Sequence, residues 1–123
     1  MADHAPNIFP TMRFVDADAA LEWLSRTLGF EERTVSRNDE GIVRHVEMSL
    51  GPGVIMFGQG DPAEQGVYVA VENADAQYER ARAAGAEIVR KIVDTPYGSR
   101  EFSVRDLDGH MWSFGTYRPE AVA

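Results

Sequence analysis

The sequence predicts an α+β protein made of two tandem βαβββ modules, which form a cupped mixed β-sheet with helices on its outer face. The predicted elements follow the order strand, helix and three strands, and this order then begins again. A shift of about 57 residues places Asp18 on Asp75 and Leu21 on Tyr78. An internal repeat of this length indicates two equivalent supersecondary units. Segments rich in Gly, Asp and Pro separate the predicted strands, as turns do.

The first module, about residues 7–58, contains the clearest periodic patterns. Asp16 or Asp18 can cap a helix, whose apolar residues recur at helical spacing until Gly29. Residues 43–50 alternate between apolar and polar side chains, which is typical of a strand with two different faces. The remaining strands of this module are predicted over residues 8–15, 30–37 and 54–57.

The second module, about residues 66–117, repeats this order after a polar linker over about residues 59–65. Asn73 or Asp75 can cap its helix, which ends near Gly85. Its strands are predicted over residues 67–71, 88–93, 100–105 and 110–117. Together the two modules form a single domain over residues 1–123.

The composition excludes several classes of function. Apolar residues make up 44% of the 123 residues and charged residues 26%, which is typical of a globular protein. The formal net charge of −8 opposes nucleic-acid binding, which depends on clustered Lys and Arg. No apolar run reaches the roughly 18–20 residues of a membrane helix. Cysteine is absent, so disulfides and thiolate metal sites are excluded and a cytoplasmic location is expected.

Three segments carry a family resemblance: residues 14–30, residues 97–101 and residues 106–114. The last segment is similar to an Asp-Pro-Asp-Gly-His turn and final strand, although Leu107 stands where proline is usual. On these segments the chain resembles the vicinal-oxygen-chelate superfamily, which includes glyoxalase I, extradiol dioxygenases and bleomycin-resistance proteins. The resemblance covers nearly the whole chain and implies the repeated fold described above.

The resemblance also implies four metal-ligand positions on the concave sheet face, which fall at Pro10, Met56, Gly66 and Ser113. None of these residues is His, Asp or Glu, whereas a divalent ion needs three or four such ligands. The resemblance is therefore to a metal-free branch, similar to glyoxalase-like or bleomycin-resistance proteins. We expect no metal and no cofactor.

Strand alternation divides the side chains between the helix-facing side and the concave side. The predicted helix-facing residues are Val15, Ile55, Phe57, Val67, Val69, Val71, Phe102, Val104, Trp112 and Phe114. The predicted ligand-binding residues on the concave side are Pro10, Met12, Phe14, His45, Glu47, Met56, Tyr68, Glu101, Ser103, Met111 and Ser113. Mostly apolar side chains with a few polar groups are typical of a small-molecule site.

Three function hypotheses follow. The first is a small-molecule-binding protein that holds an apolar or cationic ligand without a metal. The second is an enzyme of the lyase, isomerase or dioxygenase type, with His45, Glu47 and Glu101 as candidate acid–base groups or ligands of an atypical metal site. The third is a regulatory or structural module with a vestigial pocket.

Partners and the other histidines are predicted from the same patterns. The resemblance and an apolar concave face indicate a homodimer with shared pockets, and neither a nucleic acid nor a membrane is expected as a partner. His110, next to the 106–109 turn, is interpreted as structural, and His4 as part of a mobile tail.

Overall fold

The computed structural model describes residues 6–120, so His4 lies outside the described residues. Two compact units divide the chain, one built on the residues through Gln65 and the other on Gly66–Arg118. Each unit has the order strand, helix and three strands. The predicted α+β class and the two tandem βαβββ modules are therefore confirmed. Within residues 6–120, neither helix is long and apolar enough to cross a membrane.

The first unit is a four-stranded mixed sheet with one helix. Its elements are β1 (Ile8–Phe14), α1 (Ala17–Leu28), β2 (Glu31–Arg37), β3 (Val43–Leu50) and β4 (Gly53–Gln59). The strand order is β2-β3-β4-β1. Strand β1 runs parallel to β4, while β2, β3 and β4 are antiparallel neighbours.

The second unit repeats this arrangement. Its elements are β5 (Gly66–Ala70), α2 (Ala74–Ala83), β6 (Glu87–Asp94), β7 (Arg100–Arg105) and β8 (Met111–Gly115). The strand order is β5-β8-β7-β6, with β5 parallel to β8 and the other pairs antiparallel. The pairing of β6 with β7 contains register shifts, which break simple alternation along β6.

Both helices begin at equivalent caps. The side chain of Asp16 accepts a hydrogen bond from the backbone N–H of Ala19, and Asn73 does the same for Ala76. These caps satisfy N–H groups that the first helical turn leaves without a partner. They are separated by the repeat of about 57 residues. Helix α1 ends at Gly29, whose φ of 81° is the left-handed conformation that favours glycine.

The core of the first unit lies between α1 and its sheet. Its buried residues are Ala17, Ala20, Leu24, Val43, Val46, Met48 and Phe57. The ring of Phe14 packs edge-on against Phe57 with centroids 5.0 Å apart, and Ile55 packs against the same cluster. Ile55 and Phe57 thus face the helix as predicted. The prediction for Val15 is wrong, because it follows the end of β1 and is 73% exposed.

The predicted orientation of β1 is also wrong. The sequence interpretation placed Pro10, Met12 and Phe14 on the same face as Met56. The register instead pairs Thr11 with Met56, so Thr11 shares the face of Met56 and its neighbours point the other way. Met12 and Phe14 accordingly pack against the helix-side core cluster.

The core of the second unit is centred on Phe102, which is completely buried. Its ring stacks on Phe114 with centroids 5.1 Å apart and an interplanar angle of 12°. Tyr78 of α2 contacts the same ring edge-on at 5.2 Å. Phe102 and Phe114 therefore lie on the helix side of this sheet, as predicted.

The turn between β7 and β8 is held by the carboxylate of Asp106. Its oxygens accept hydrogen bonds from the backbone N–H groups of Asp108 and His110 and from Nε1 of Trp112, all at 2.9–3.0 Å. Nδ1 of His110 lies 3.1 Å from Oδ2. The indole N–H of Trp112, followed by the two backbone N–H groups, holds the pKa of Asp106 well below its ordinary value.

We expect this carboxylate to make stability depend on pH. Because its pKa is lower in the folded chain than the roughly 3.9 of an unfolded Asp, its stabilising effect is complete above that value and is lost as the pH falls below it. In Asp106→Asn an NH₂ group replaces one of the two accepting oxygens, so the substitution should lower the urea midpoint at pH 6 and change it less at pH 3. Asp18 and Asp75 are unchanged in both proteins and provide an internal reference. Equal differences at the two pH values would contradict this account.

Candidate functional site

Three predicted site residues of the first unit, His45, Glu47 and Met56, lie on the sheet face opposite α1, which we call the first helix-free face. Glu47 on β3 pairs with Met56 on β4, and Thr11 pairs with Met56 from the other side. His45 lies two residues before Glu47 on the same strand and points to the same face. The structure thus brings His45, Glu47 and Met56 together. On β1, Thr11 lies on this face instead of the predicted Pro10, Met12 and Phe14.

His45 and Glu47 form a close pair on this face. Nε2 of His45 lies 2.8 Å from Oε2 of Glu47. Glu47 is only 2% exposed, whereas the imidazole keeps 41% of its accessible surface. A buried carboxylate is costly without partners, so the pair stabilises Glu47. It also leaves the second ring nitrogen, Nδ1, on a half-exposed side chain.

Gly58 shapes the end of the same face. A Cβ atom at this position would lie 2.6 Å from the backbone oxygen of Arg44 and 3.2 Å from Nη1 of Arg13. The absent side chain lets the β3 backbone approach β4 closely and lets the Arg13 guanidinium lie against the strand. Sequence reasoning missed Arg13, because the β1 orientation was reversed.

The predicted site residues of the second unit lie on the face opposite α2, which we call the second helix-free face. Ser113 on β8 pairs with Tyr68 on β5 and with Ser103 on β7. The two serine hydroxyls are 2.8 Å apart and hydrogen-bonded. Glu101 and Met111 lie two residues from Ser103 and Ser113 on the same strands, and therefore on the same face.

Glu101 is the centre of a polar network on this face. Its Oε1 accepts hydrogen bonds from Nη2 of Arg90 at 2.7 Å and from the hydroxyl of Tyr97 at 2.9 Å. Partial burial of the Tyr97 hydroxyl and its hydrogen bond to Glu101 both raise the pKa of Tyr97, which is otherwise 65% exposed. Sequence reasoning missed Arg90 and Tyr97. Arg90 lies between register shifts of β6 and Tyr97 lies in the turn before β7, so strand alternation does not predict that either residue contacts Glu101.

Tyr68 contacts the same network at Gly115. A Cβ atom on Gly115 would lie 2.6 Å from the Tyr68 hydroxyl and 2.7 Å from Cγ of Glu101. The hydroxyl donates a hydrogen bond to the backbone oxygen of Tyr117. Burial, followed by the nearby Glu101 charge, raises the pKa of Tyr68. Tyr68 is thus a protonated phenol over the physiological range and can act as a hydrogen-bond donor but not as a base.

The donor set does not fit a divalent metal. Within residues 6–120, no three His, Asp or Glu side chains are grouped so that they could hold a metal ion. The β1 register moves the implied ligand position from Pro10 to Phe9 or Thr11, and neither carries an imidazole or a carboxylate. Metal sites of the expected kind need three or more such groups at about 2.0–2.6 Å.

A comparison with known protein families shows the family of this chain. The family model of the Glyoxalase/Bleomycin resistance protein/Dioxygenase superfamily matches residues 9–114. The chain belongs to this superfamily. The match includes both units and every predicted site residue, and the resemblance expected from the sequence is confirmed.

Solved structures of other superfamily members and related folds are similar to this chain. A glyoxalase/bleomycin resistance protein/dioxygenase superfamily member from Vibrio splendidus is 20% identical, with a TM-score of 0.73, and the match covers 88% of this chain and 96% of that one. Methylmalonyl-CoA epimerase from Mycobacterium tuberculosis is 19% identical with a TM-score of 0.65, covering 91% and 86%. TioX from Micromonospora sp. ML1 is 31% identical with a TM-score of 0.44, covering 92% and 99%.

Proposed function

We propose that this superfamily member binds a small apolar or cationic molecule on the helix-free faces of its sheets, without a metal ion. The observation that carries the proposal is the second helix-free face. Tyr68, Glu101 and Ser103 are each less than a tenth exposed there, and they share the face with Met111. A small number of fixed polar groups among apolar side chains is the usual composition of a small-molecule site.

Three further properties support this proposal. Among residues 6–120, both faces lack the grouped imidazoles and carboxylates that a metal-dependent member would use. The net charge of −8 favours the approach of a cationic ligand through long-range attraction. Methionine side chains on both faces, Met56 and Met111, adapt to ligands of irregular shape.

The methionine methyl groups provide a direct test. In protein labelled with ¹³C at the methionine methyls, we expect toluene and benzylammonium to shift the signals of Met56 or Met111 in the presence of EDTA. The signal of Met48, which is completely buried on the helix side, should stay unchanged. A ligand bound only by the folded chain should also raise its melting temperature. Shifts confined to Met48, or binding that requires added Zn²⁺, would overturn the proposal.

The second candidate function is an enzyme, and the 2.8 Å contact between His45 and Glu47 favours it. In this alternative, a lyase or isomerase uses the imidazole as a general base that the buried carboxylate orients. Such an enzyme should exchange the α-protons of simple hydroxyketones or thioesters with deuterium in D₂O, and His45→Gln should abolish the exchange. Absence of exchange by the wild type, or equal exchange by the variant, would exclude this role of His45.

We further propose a cytoplasmic homodimer with shared pockets. Strand β6 is the edge strand of the second sheet and presents the exposed side chains of Val89 and Val93. Apolar side chains on an unpaired edge favour association with another chain. Light scattering should give twice the monomer mass, and Val89→Lys should reduce it to the monomer value. A monomeric wild type at micromolar concentration would contradict the proposal.

A further inference from the structure

The two oxygens of the Glu101 carboxylate have different surroundings. Oε1 accepts both hydrogen bonds of the network, one from Arg90 and one from Tyr97. Oε2 accepts none from residues 6–120, although the residue as a whole is only 6% exposed. In the described part of the chain, every side-chain oxygen or nitrogen that is fully buried has a partner. Oε2 therefore keeps access to solvent while the rest of Glu101 is buried.

Gly115 and Tyr68 fix where Oε2 points. An ideal Cβ on Gly115 would lie 3.1 Å from Oε2 and 2.6 Å from the Tyr68 hydroxyl. Gly115 is the last residue of β8, so Oε2 lies at the C-terminal end of this strand on the second helix-free face. The Tyr68 hydroxyl is engaged with the backbone of Tyr117. Oε2 belongs to an ionised carboxylate and is therefore a stronger acceptor for a bound donor group than a neutral hydroxyl.

The charge of Glu101 is already compensated. Nη2 of Arg90 lies 2.7 Å from Oε1, so the two side chains form an ion pair with no net charge. A neutral hydroxyl or amide N–H can satisfy Oε2 without leaving an uncompensated charge on this largely buried face. The ring of Tyr97, which is 65% exposed and whose hydroxyl contacts Oε1, provides an apolar surface beside this site for the body of such a molecule.

We propose that Oε2 of Glu101 selects a ligand that combines an apolar body with a neutral hydrogen-bond donor, as a phenol or an aromatic amide does. Arg90 and Tyr97 are positioning residues, because both donate to Oε1 and leave Oε2 open. This proposal rests on the proposed function and specifies the ligand chemistry of the same face.

The network itself predicts a distinctive result for Glu101→Gln. The carbonyl oxygen of the glutamine can still accept the hydrogen bonds of Arg90 and Tyr97, which both need an acceptor. The amide NH₂ then occupies the position of Oε2 and is a donor. The substitution therefore reverses the hydrogen-bonding character of the site, while it preserves the contacts that hold the side chain in place.

The experiment compares three probes, namely phenol (a donor), acetophenone (an acceptor) and toluene (neither). Binding is followed by the ring signals of ¹³C-labelled Tyr97, which contacts Glu101, in the wild type, in Glu101→Gln and in the control Glu87→Gln, which changes an exposed glutamate of β6. We expect the wild type and the control to bind phenol about tenfold more tightly than acetophenone, the size of one net hydrogen bond. Glu101→Gln should prefer acetophenone by a similar factor, and toluene should bind all three proteins alike.

The outcomes separate this inference from the proposed function. If toluene binds and the preference for phenol persists in Glu101→Gln, the inference is overturned and the proposed function stands. If no probe shifts the signals of Tyr97, Met56 or Met111, both are overturned. Should Glu101→Gln not fold, the ¹³C signal of the Glu101 carboxylate in the wild type gives the answer. It should shift with phenol and not with toluene, and equal responses to both would overturn the inference.

Discussion

Gly58→Ala is expected to lower the free energy of unfolding by about 1–3 kcal/mol, the usual effect of forcing an extra methyl group into a packed position. The new Cβ would lie 2.6 Å from the backbone oxygen of Arg44, a distance that real Cβ contacts do not reach. Because that oxygen belongs to the backbone of β3, a rotamer change cannot relieve the overlap. The β3 and β4 strands must move apart, at the point where Val43 and Val46 are completely buried. Urea denaturation followed by circular dichroism measures the loss.

Gly53→Ala is the matched control for this substitution, because Gly53 begins the same strand. Its added Cβ would lie 3.5 Å from the backbone oxygen of Leu50, which is an ordinary contact distance. Neither glycine has a positive φ, so the two substitutions differ mainly in the space available. We expect the control to stay within about 0.5 kcal/mol of the wild type. Equal effects of the two substitutions would show that the β3–β4 contact is not responsible.

Phe102→Ala is expected to have the largest effect on stability, a loss of about 3–5 kcal/mol. The ring is completely buried, stacks on Phe114 and contacts Tyr78 of α2, so its removal leaves a cavity between the helix and the sheet. Aromatic contacts of this geometry add to the stabilisation that burial provides. The free energy of unfolding from urea denaturation is the quantity to compare.

Two controls define the cause of this effect. Phe102→Leu keeps most of the buried apolar volume and should lose clearly less stability than Phe102→Ala. Leu107→Ala changes an apolar side chain of the same unit that is 97% exposed, and it should leave stability nearly unchanged. A loss below about 1 kcal/mol for Phe102→Ala would mean that the second unit does not depend on this core.

The helices and the fold class were predictable, because local signals determine them. Asp16 and Asn73 precede apolar positions at helical spacing and act as caps in the structure. Gly29 ends α1 in a left-handed conformation, for which glycine is the favoured residue. The repeated order of elements followed from these local signals at two places about 57 residues apart.

The orientation of β1 was not predictable from its own residues. Apolar side chains occupy both alternating sets of this strand, Phe9 on one and Met12 and Phe14 on the other, so alternation gives no preferred face. The pairing of Thr11 with Met56 decides the orientation, and that contact joins residues far apart in the chain. Long-range pairing of this kind leaves no local signal in a single sequence.

The network around Glu101 was only partly predictable. Alternation on β7 and β8 placed Glu101, Ser103 and Ser113 on one face, and the structure agrees. Arg90 lies on a strand with register shifts, and Tyr97 lies in a turn, so neither follows from alternation. Their contacts with Glu101 depend on the irregular pairing of β6 with β7, which only the folded sheet determines.

Gly58 and Gly115 occupy equivalent positions of the repeat, yet different atoms fill the space beside them. The atom nearest to Gly58 is a backbone oxygen, with the Arg13 guanidinium farther away, whereas next to Gly115 the nearest atoms belong to the side chains of Tyr68 and Glu101. A main-chain atom is common to all residue types, so point substitutions cannot alter its chemistry. Side chains can be exchanged one by one. After the duplication implied by the repeat, new specificities would therefore arise more readily in the C-terminal half, while the N-terminal half remains under selection for strand packing.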